Sequence, residues 1–277
     1  MSNNNPFAGT RDENKKLKDS CESEDSICEY LGQRGGHHTN YKIYYKTIGI
    51  VNEIVKNNNL ILRRDNFNDN DDNMNLQDDG KGNSAFILCF SYANAENVAM
   101  WYMYGGNLTD NVMVKYTKSM LEKIFDENVG KKIEIGRLDK KKFVKTGMVD
   151  VVSIEISDVL YYDDDKNDKS LYYIKRGDEV KSVNKNLLDK MPHYLKKNTA
   201  WSYESECRLI VKVPKKQVEE GNNAVRILLP NTVDITKNKR LVLSPSFNKK
   251  EEKNYSFEEK NYSFERSKLT GKVNITK

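Results

Sequence analysis

The sequence predicts an α+β fold built from mixed, mainly antiparallel sheets with a few packed helices. Short apolar runs alternate with period two, fewer runs repeat near period 3.6, and clusters of Asn, Asp and Gly separate them. The chain has 277 residues, enough for one large domain or two small ones with a core that needs no staples. Hydrophobic residues make up 37% and there are 16 tyrosines, so the 31% of charged residues describe a polar chain that still folds.

Residues 1–38 are polar and without sustained periodicity, and read as a flexible or appended segment. A single α+β domain is expected over 39–248. It opens with a strand at Tyr41–Tyr45 and a helix at Ile48–Asn57, in which Ile48, Val51, Ile54 and Val55 share a face. Leu60–Leu62 reads as a short strand, 66–83 as a loop and Ala85–Ser91 as an apolar strand. Next come a helix at Ala95–Tyr104, a strand at Asn111–Tyr116 and a helix at Lys118–Asn128. Val144–Ile156 is strand material interrupted at Gly147, and two tyrosine-rich strands flank an acidic loop after Tyr161. Leu187–Lys197 reads as a helix, and Trp201–Val213, Val225–Leu229 and Arg240–Leu243 as strands. Residues 249–277 carry KNYSFE twice, seven residues apart, and read as a low-complexity tail outside the core, since two copies are too few for a helical seam.

The net charge of +5 is a small difference between 46 basic and 41 acidic residues, so it permits nucleic-acid binding without indicating it. The lysine groups Lys140–Lys142, Lys196–Lys197 and Lys215–Lys216 read first as solvated faces. Apolar runs fall well short of the roughly 20 residues that span a bilayer. The N-terminal sequence lacks the apolar stretch of a signal peptide, so a cytoplasmic protein with no membrane partner is expected. Cys21, Cys28, Cys89 and Cys207 form no Cys-x-x-Cys pair and read as structural thiols. No metal site is predicted: His37, His38 and His193 have no ligand spacing, and Arg63–Asp72 lacks the glycine and terminal glutamate of a calcium loop.

Two segments carry candidate chemistry. In the first, the strand ending at Ser91 and the helix bearing Trp101 and Tyr104 bring a hydroxyl and two aromatic rings toward one strand end, a usual grip on a flat ligand. The competing reading is that Trp101 and Tyr104 simply pack in the core. In the second, strand alternation places Ser202, Glu204, Glu206 and Arg208 on one face and Trp201, Tyr203, Ser205 and Cys207 on the other. Arg208 then holds Glu206 charged while Glu204 hydrogen-bonds a ligand hydroxyl. Solvent-facing cross-strand ion pairs are the plainer alternative.

Taken in order, Tyr45, Phe67-Asn68-Asp69, Cys89-Phe90-Ser91, Met100-Trp101 with Tyr104, and the WxYExExR element from Trp201 to Arg208 resemble the bacterial DUF2971 family of unknown function. Asn70 stands where that family usually has proline, and Ser244 replaces glycine in the closing LVLSPSF. The order of elements is also similar to that of ADP-ribosyltransferases. That resemblance implies NAD as co-substrate, Glu206 stabilising an oxocarbenium-like transition state and Glu204 orienting or activating the acceptor. It implies Trp101 or Tyr104 against nicotinamide and Tyr45 toward adenosine, with Ser91, Trp201, Tyr203 and Arg208 completing the site. The acceptor would be a protein or nucleic acid, in a toxin–antitoxin or phage-defence setting with an antitoxin or defence partner. The alternatives are a nucleic-acid-directed enzyme or binder, and a non-catalytic sensor of a nucleotide-like ligand. The transferase expectation also holds that Glu206→Gln removes activity while leaving the fold intact.

Overall fold

A computed structural model describes residues 41–65, 82–92, 96–105, 109–139, 142–164, 171–176, 179–190, 192–247 and 262–270. The 1–38 segment, the Phe67-Asn68-Asp69 loop with Asn70, and most of the 249–277 tail lie outside these residues. In chain order the elements begin with β1 (Tyr41–Thr47), α1 (Ile48–Asn57), β2 (Asn59–Arg63), β3 (Asn83–Ser91), α2 (Val98–Gly105), β4 (Asn111–Thr117) and α3 (Lys118–Asn128). There follow β5 (Lys132–Asp139), β6 (Lys142–Asp150), β7 (Ser153–Asp158), β8 (Leu160–Asp164), β9 (Leu171–Arg176), β10 (Glu179–Asn184) and α4 (Lys185–Lys190). Beyond them lie β11 (Lys196–Asn198), β12 (Glu206–Pro214), β13 (Ala224–Leu228), β14 (Leu241–Leu243) and β15 (Phe264–Arg266).

β3, NSAFILCFS, is apolar on both faces because both are covered, and only its first residue and Cys89 are half-buried. It pairs antiparallel with β12 along its whole length, from Ser91 opposite Glu206 to Asn83 opposite Pro214. β7 flanks β12 on the other side. At its Ser91 end β3 meets β1, which continues the sheet through β4 and β14 to β15. At Ile87 it meets Arg63 of β2, which leads to β13, β5 and β6. A second sheet runs β10-β9-β8-β11, with β8 and β11 parallel.

The larger core lies on one face of the β3–β12 ladder. Cys207, Leu209, Val211 and Val213 of β12 meet Ile48, Val51 and Ile54 of α1 and Met120, Leu121 and Ile124 of α3 there. A smaller apolar cluster of Ile43, Tyr45, Met100, Trp101, Met113 and Val242 packs α2 against the opposite face of β1 and β4. Period-two alternation in β1 thus sends Tyr44 to one core and Ile43 and Tyr45 to the other.

Several boundaries differ from the sequence reading. α2 starts at Val98 rather than Ala95, because the Asn97 side-chain oxygen accepts from the Ala99 amide at 2.9 Å and caps the helix there. The expected helix Leu187–Lys197 is broken by Pro192, which has no N–H to donate. α4 ends at Lys190, a 3-10 turn follows at His193–Leu195, and Lys196–Asn198 is strand. Val144–Ile156 is two strands in different parts of the sheet, with the corner fixed by Val151 N–H to Lys131 O and Val152 N–H to Lys212 O. β12 starts at Glu206 rather than Trp201, because Thr199–Glu204 is a 3-10 helix that ends at Ser205 with φ 44°. The second KNYSFE copy contributes β15, parallel to β14, and Tyr262 and Phe264 pack against the larger core.

The β5–β6 ladder slips register beside Gly136, where a Cβ would stand 2.0 Å from the Val144 carbonyl oxygen. At Gly147 the nearest atom to a Cβ is Ile135 Cγ2, at 3.6 Å. Gly136→Ala is therefore expected to destabilise the protein by about 3 kcal/mol, read as a Tm loss of roughly 5–10 °C. Gly147→Ala should stay within about 1 kcal/mol of the parent by the same measurement. Equal Tm values for the two variants would contradict the close approach at Gly136.

Candidate functional site

The face of β12 turned away from the larger core carries Glu206 and Arg208, and their β3 partners Ser91 and Cys89 lie on the same side. The left-handed turn at Ser205 swings Glu204 out of strand alternation and returns its carboxylate to this face. Two local contacts fix that turn. The Ser91 hydroxyl donates to the Glu204 carbonyl at 2.8 Å, and the Tyr92 N–H donates to the Ser205 carbonyl at 2.7 Å. From the second sheet, the register places Lys197 opposite Tyr161. The Lys197 ammonium then reaches Glu204 Oε2 at 2.8 Å and Glu206 Oε2 at 3.0 Å.

Arg208 donates from Nε to Glu206 Oε1 at 2.7 Å and from Nη1 to the Tyr194 carbonyl at 3.0 Å. The Tyr161 hydroxyl accepts from the Glu206 amide at 2.8 Å, and the Tyr104 hydroxyl donates to Glu204 Oε1. Two carboxylates and two cations therefore form one buried, charge-balanced cluster, with Glu204 1% and Glu206 3% exposed. Trp201 lies over the Lys197 ammonium, its ring centroid 5.0 Å from Nζ, and Tyr203 sits beside it with ring centroids 6.2 Å apart. Tyr203 is 39% exposed and marks the outer rim.

The two carboxylates are not equivalent. Burial raises the pKa of each, but the Arg208 guanidinium and then the Lys197 ammonium overcome it at Glu206 and hold that carboxyl well below the usual range. At Glu204, burial and then the Glu206 charge win against Lys197 and Tyr104, so its pKa lies above the ordinary value. Glu206 is a fixed charge, whereas Glu204 is the proton-accepting member of the pair. Burial and then the Glu204 charge push the Tyr104 hydroxyl far above the phenol range, which keeps it a donor. The Cys89 thiol, beside Glu206, is likewise pushed up by burial and by that carboxylate, so it is no thiolate nucleophile.

Ser91, Tyr104, Trp201, Tyr203, Glu204, Glu206 and Arg208 thus converge. Trp101 does not join them. It is 1% exposed in the smaller apolar cluster, edge-on to Tyr45 at 4.9 Å. The Tyr45 hydroxyl accepts from the Asn97 amide at 3.3 Å, so both its ring and its polar atom are engaged away from the carboxylates. Glu204, Glu206 and Arg208 are not solvent-facing ion pairs, and the Lys196–Lys197 pair is not a solvated face: both lysines are buried, and Lys196 Nζ donates to the Leu188 carbonyl at 2.5 Å. Neither Lys197 nor Tyr161 is marked as a site residue by its neighbours in the chain, because a parallel β8–β11 pairing brings them in from 36 positions apart. Away from the site, a surface groove of about 300 Å³ lined by Val55, Leu229, Asp234, Lys237 and Tyr262 shares no residue with the carboxylate cluster. Among the described residues no group of three metal-ligating side chains comes together, and no helix is long and apolar enough to cross a membrane.

Fold and site define a mixed α+β protein with a buried carboxylate pair at the end of its central ladder. Residues 100–209 match the family described as protein of unknown function (DUF2971). The matched span runs from α2 into β12 and holds Trp101, Tyr104 and the WxYExExR element, while Tyr45, Phe67-Asn68-Asp69 and Cys89-Phe90-Ser91 precede it. No curated protein and no solved structure matches the chain.

The geometry alters the expectation for Glu206→Gln. With the charge removed, Lys197 and Arg208 face one carboxylate in a buried site, so the variant is expected to lose about 3 kcal/mol, measured by urea unfolding. Because the folded pKa of Glu206 is depressed, its stabilisation is complete above the unfolded value of about 4.3 and fades as pH falls below it. The difference between parent and variant should therefore shrink on acidification. A variant as stable as the parent at pH 7 would mean that the cluster does not hold this part of the fold.

Proposed function

We propose that this protein is an NAD-consuming, mono-ADP-ribosyltransferase-like enzyme acting on a macromolecule, in a toxin or phage-defence setting as the resemblance implies. One observation carries the reading: Glu204, whose carboxyl is easiest to protonate, lies against the fixed charge of Glu206 beneath an aromatic rim. A ring cation forming at a sugar carbon is steadied by such a preorganised negative field in a low-dielectric site.

In the proposed reaction the C1′–N bond of NAD breaks, and nicotinamide leaves as a neutral base with the bonding pair. An acceptor nucleophile bonds to C1′, and its proton passes to the Glu204 carboxylate. Trp201 and Tyr203, whose rings are tilted by 36° to each other, offer aromatic contact to the departing ring. Glu206, whose two oxygens face Arg208 and Lys197, stays ionised throughout and supplies field rather than proton transfer. The Tyr104 hydroxyl donates to Glu204, so in the proposed reaction a ribose hydroxyl takes its place when substrate enters. A second reading, a non-catalytic module that senses a nucleotide-like ligand, is favoured by the complete pairing of the carboxylates. The nucleic-acid alternative loses the Lys196–Lys197 surface to burial.

Purified protein incubated with NAD is expected to release nicotinamide, measured by chromatography. Glu204→Gln should slow release by about 10²–10³-fold. The rate should rise with pH through a value above the ordinary glutamate pKa, because Glu204 must lose its proton to act as base. Absence of release would end the transferase reading. A Tm raised by NAD without release would establish the sensor instead.

A further inference from the structure

Tyr104 reaches Glu204 only if α2 is held in place, and eight residues with one polar cap are too few to hold a helix by themselves. The carboxylate of Glu96, two residues before α2, gathers three donors. Its Oε2 accepts from Trp101 Nε1 at 3.3 Å and from the Ser267 hydroxyl, and its Oε1 accepts from the Lys268 amide at 2.8 Å. The Ser267 and Lys268 donors belong to the segment after β15, which is anchored by Ser267 N–H to the Leu243 carbonyl at 3.1 Å. Leu269 from the same segment packs on the Met100–Trp101 cluster. At the same end of α2, Asn97 Nδ2 donates to the Tyr203 carbonyl at 2.9 Å, within the turn that carries Glu204.

We infer that Glu96 is a positioning residue that clasps the C-terminal segment to Trp101, sets α2 against the sheet, and so places the Tyr104 hydroxyl on Glu204. The clasp spans 171 residues of sequence and makes the site depend on a segment that lies outside the matched family span. It does not rest on the transferase reading, because it concerns where Tyr104 stands rather than what the carboxylates react with.

The test uses the full chain labelled with ¹³C at tyrosine Cζ, with Tyr104→Phe and Tyr116→Phe to assign two resonances. Tyr116 is buried in the larger core and reports on the fold as a whole. Glu96→Ala is expected to move the Tyr104 resonance toward that of a solvated tyrosine and leave Tyr116 in place. Amide exchange over 98–105 should quicken by about tenfold. Ser267→Ala, which removes one donor, should move Tyr104 in the same direction by less, and carries the test alone if Glu96→Ala does not fold. An unmoved Tyr104 resonance, or Tyr104 and Tyr116 moving together, would overturn the positioning role.

Discussion

Two carboxylates cannot share a buried site unless cations come with them, and much of this structure follows from that requirement. Glu204 and Glu206 are two residues apart on one face, so the chain supplies Arg208 from the same strand and Lys197 from another sheet. The second sheet serves this end, since its parallel β8–β11 edge delivers Lys197 and Tyr161 together. The 3-10 turn and the left-handed Ser205 serve it as well, because a straight strand through Trp201–Arg208 would not bring the chain back over Ser91 and Tyr92. The asymmetry between the carboxylates comes from the same source: the bidentate guanidinium is committed to Glu206, and Glu204 shares a lysine and a phenol.

How much of this was legible in the sequence depends on the range of the interactions. Strands and helices set by local periodicity were readable, as at Ile48–Asn57, Lys118–Asn128 and the apolar Ala85–Ser91. The grouping of Glu206 with Arg208 was also readable, since period two operates within β12. Its extension to Glu204 reached the right face for the wrong reason, through a turn rather than a strand. Lys197 was hidden because a lysine beside another lysine looks like surface, and only a nonlocal strand pairing reverses that. Trp101 illustrates the opposite case: a large aromatic three residues from Tyr104 shares its helix, yet the ring fills a core while the hydroxyl of its neighbour serves the site.

The site also divides the labour of the two apolar clusters. The larger one holds the β3–β12 ladder rigid against α1 and α3, so the backbone that bears Glu206 and Arg208 has little freedom. The smaller one, under α2, is built from fewer side chains and is closed by a segment distant in sequence. Stability is rarely uniform across a domain, and elements with few buried apolar partners open first. The carboxylates thus sit between a stiff floor and a more loosely fastened roof.

The path of the chain through the second sheet has a consequence for how firmly Lys197 is held. β8 and β11 present Tyr161 and Lys197, while β9 and β10 lie beyond β8 and lead in the chain into α4. The Leu188 carbonyl of α4 takes the ammonium of Lys196, the residue beside Lys197, so the outer strands connect to the charges through that helix as well as through β8. Lys197 is therefore braced from two directions, by the register of a strand pair and by the short helix that precedes it, and a change at either reaches the charge cluster.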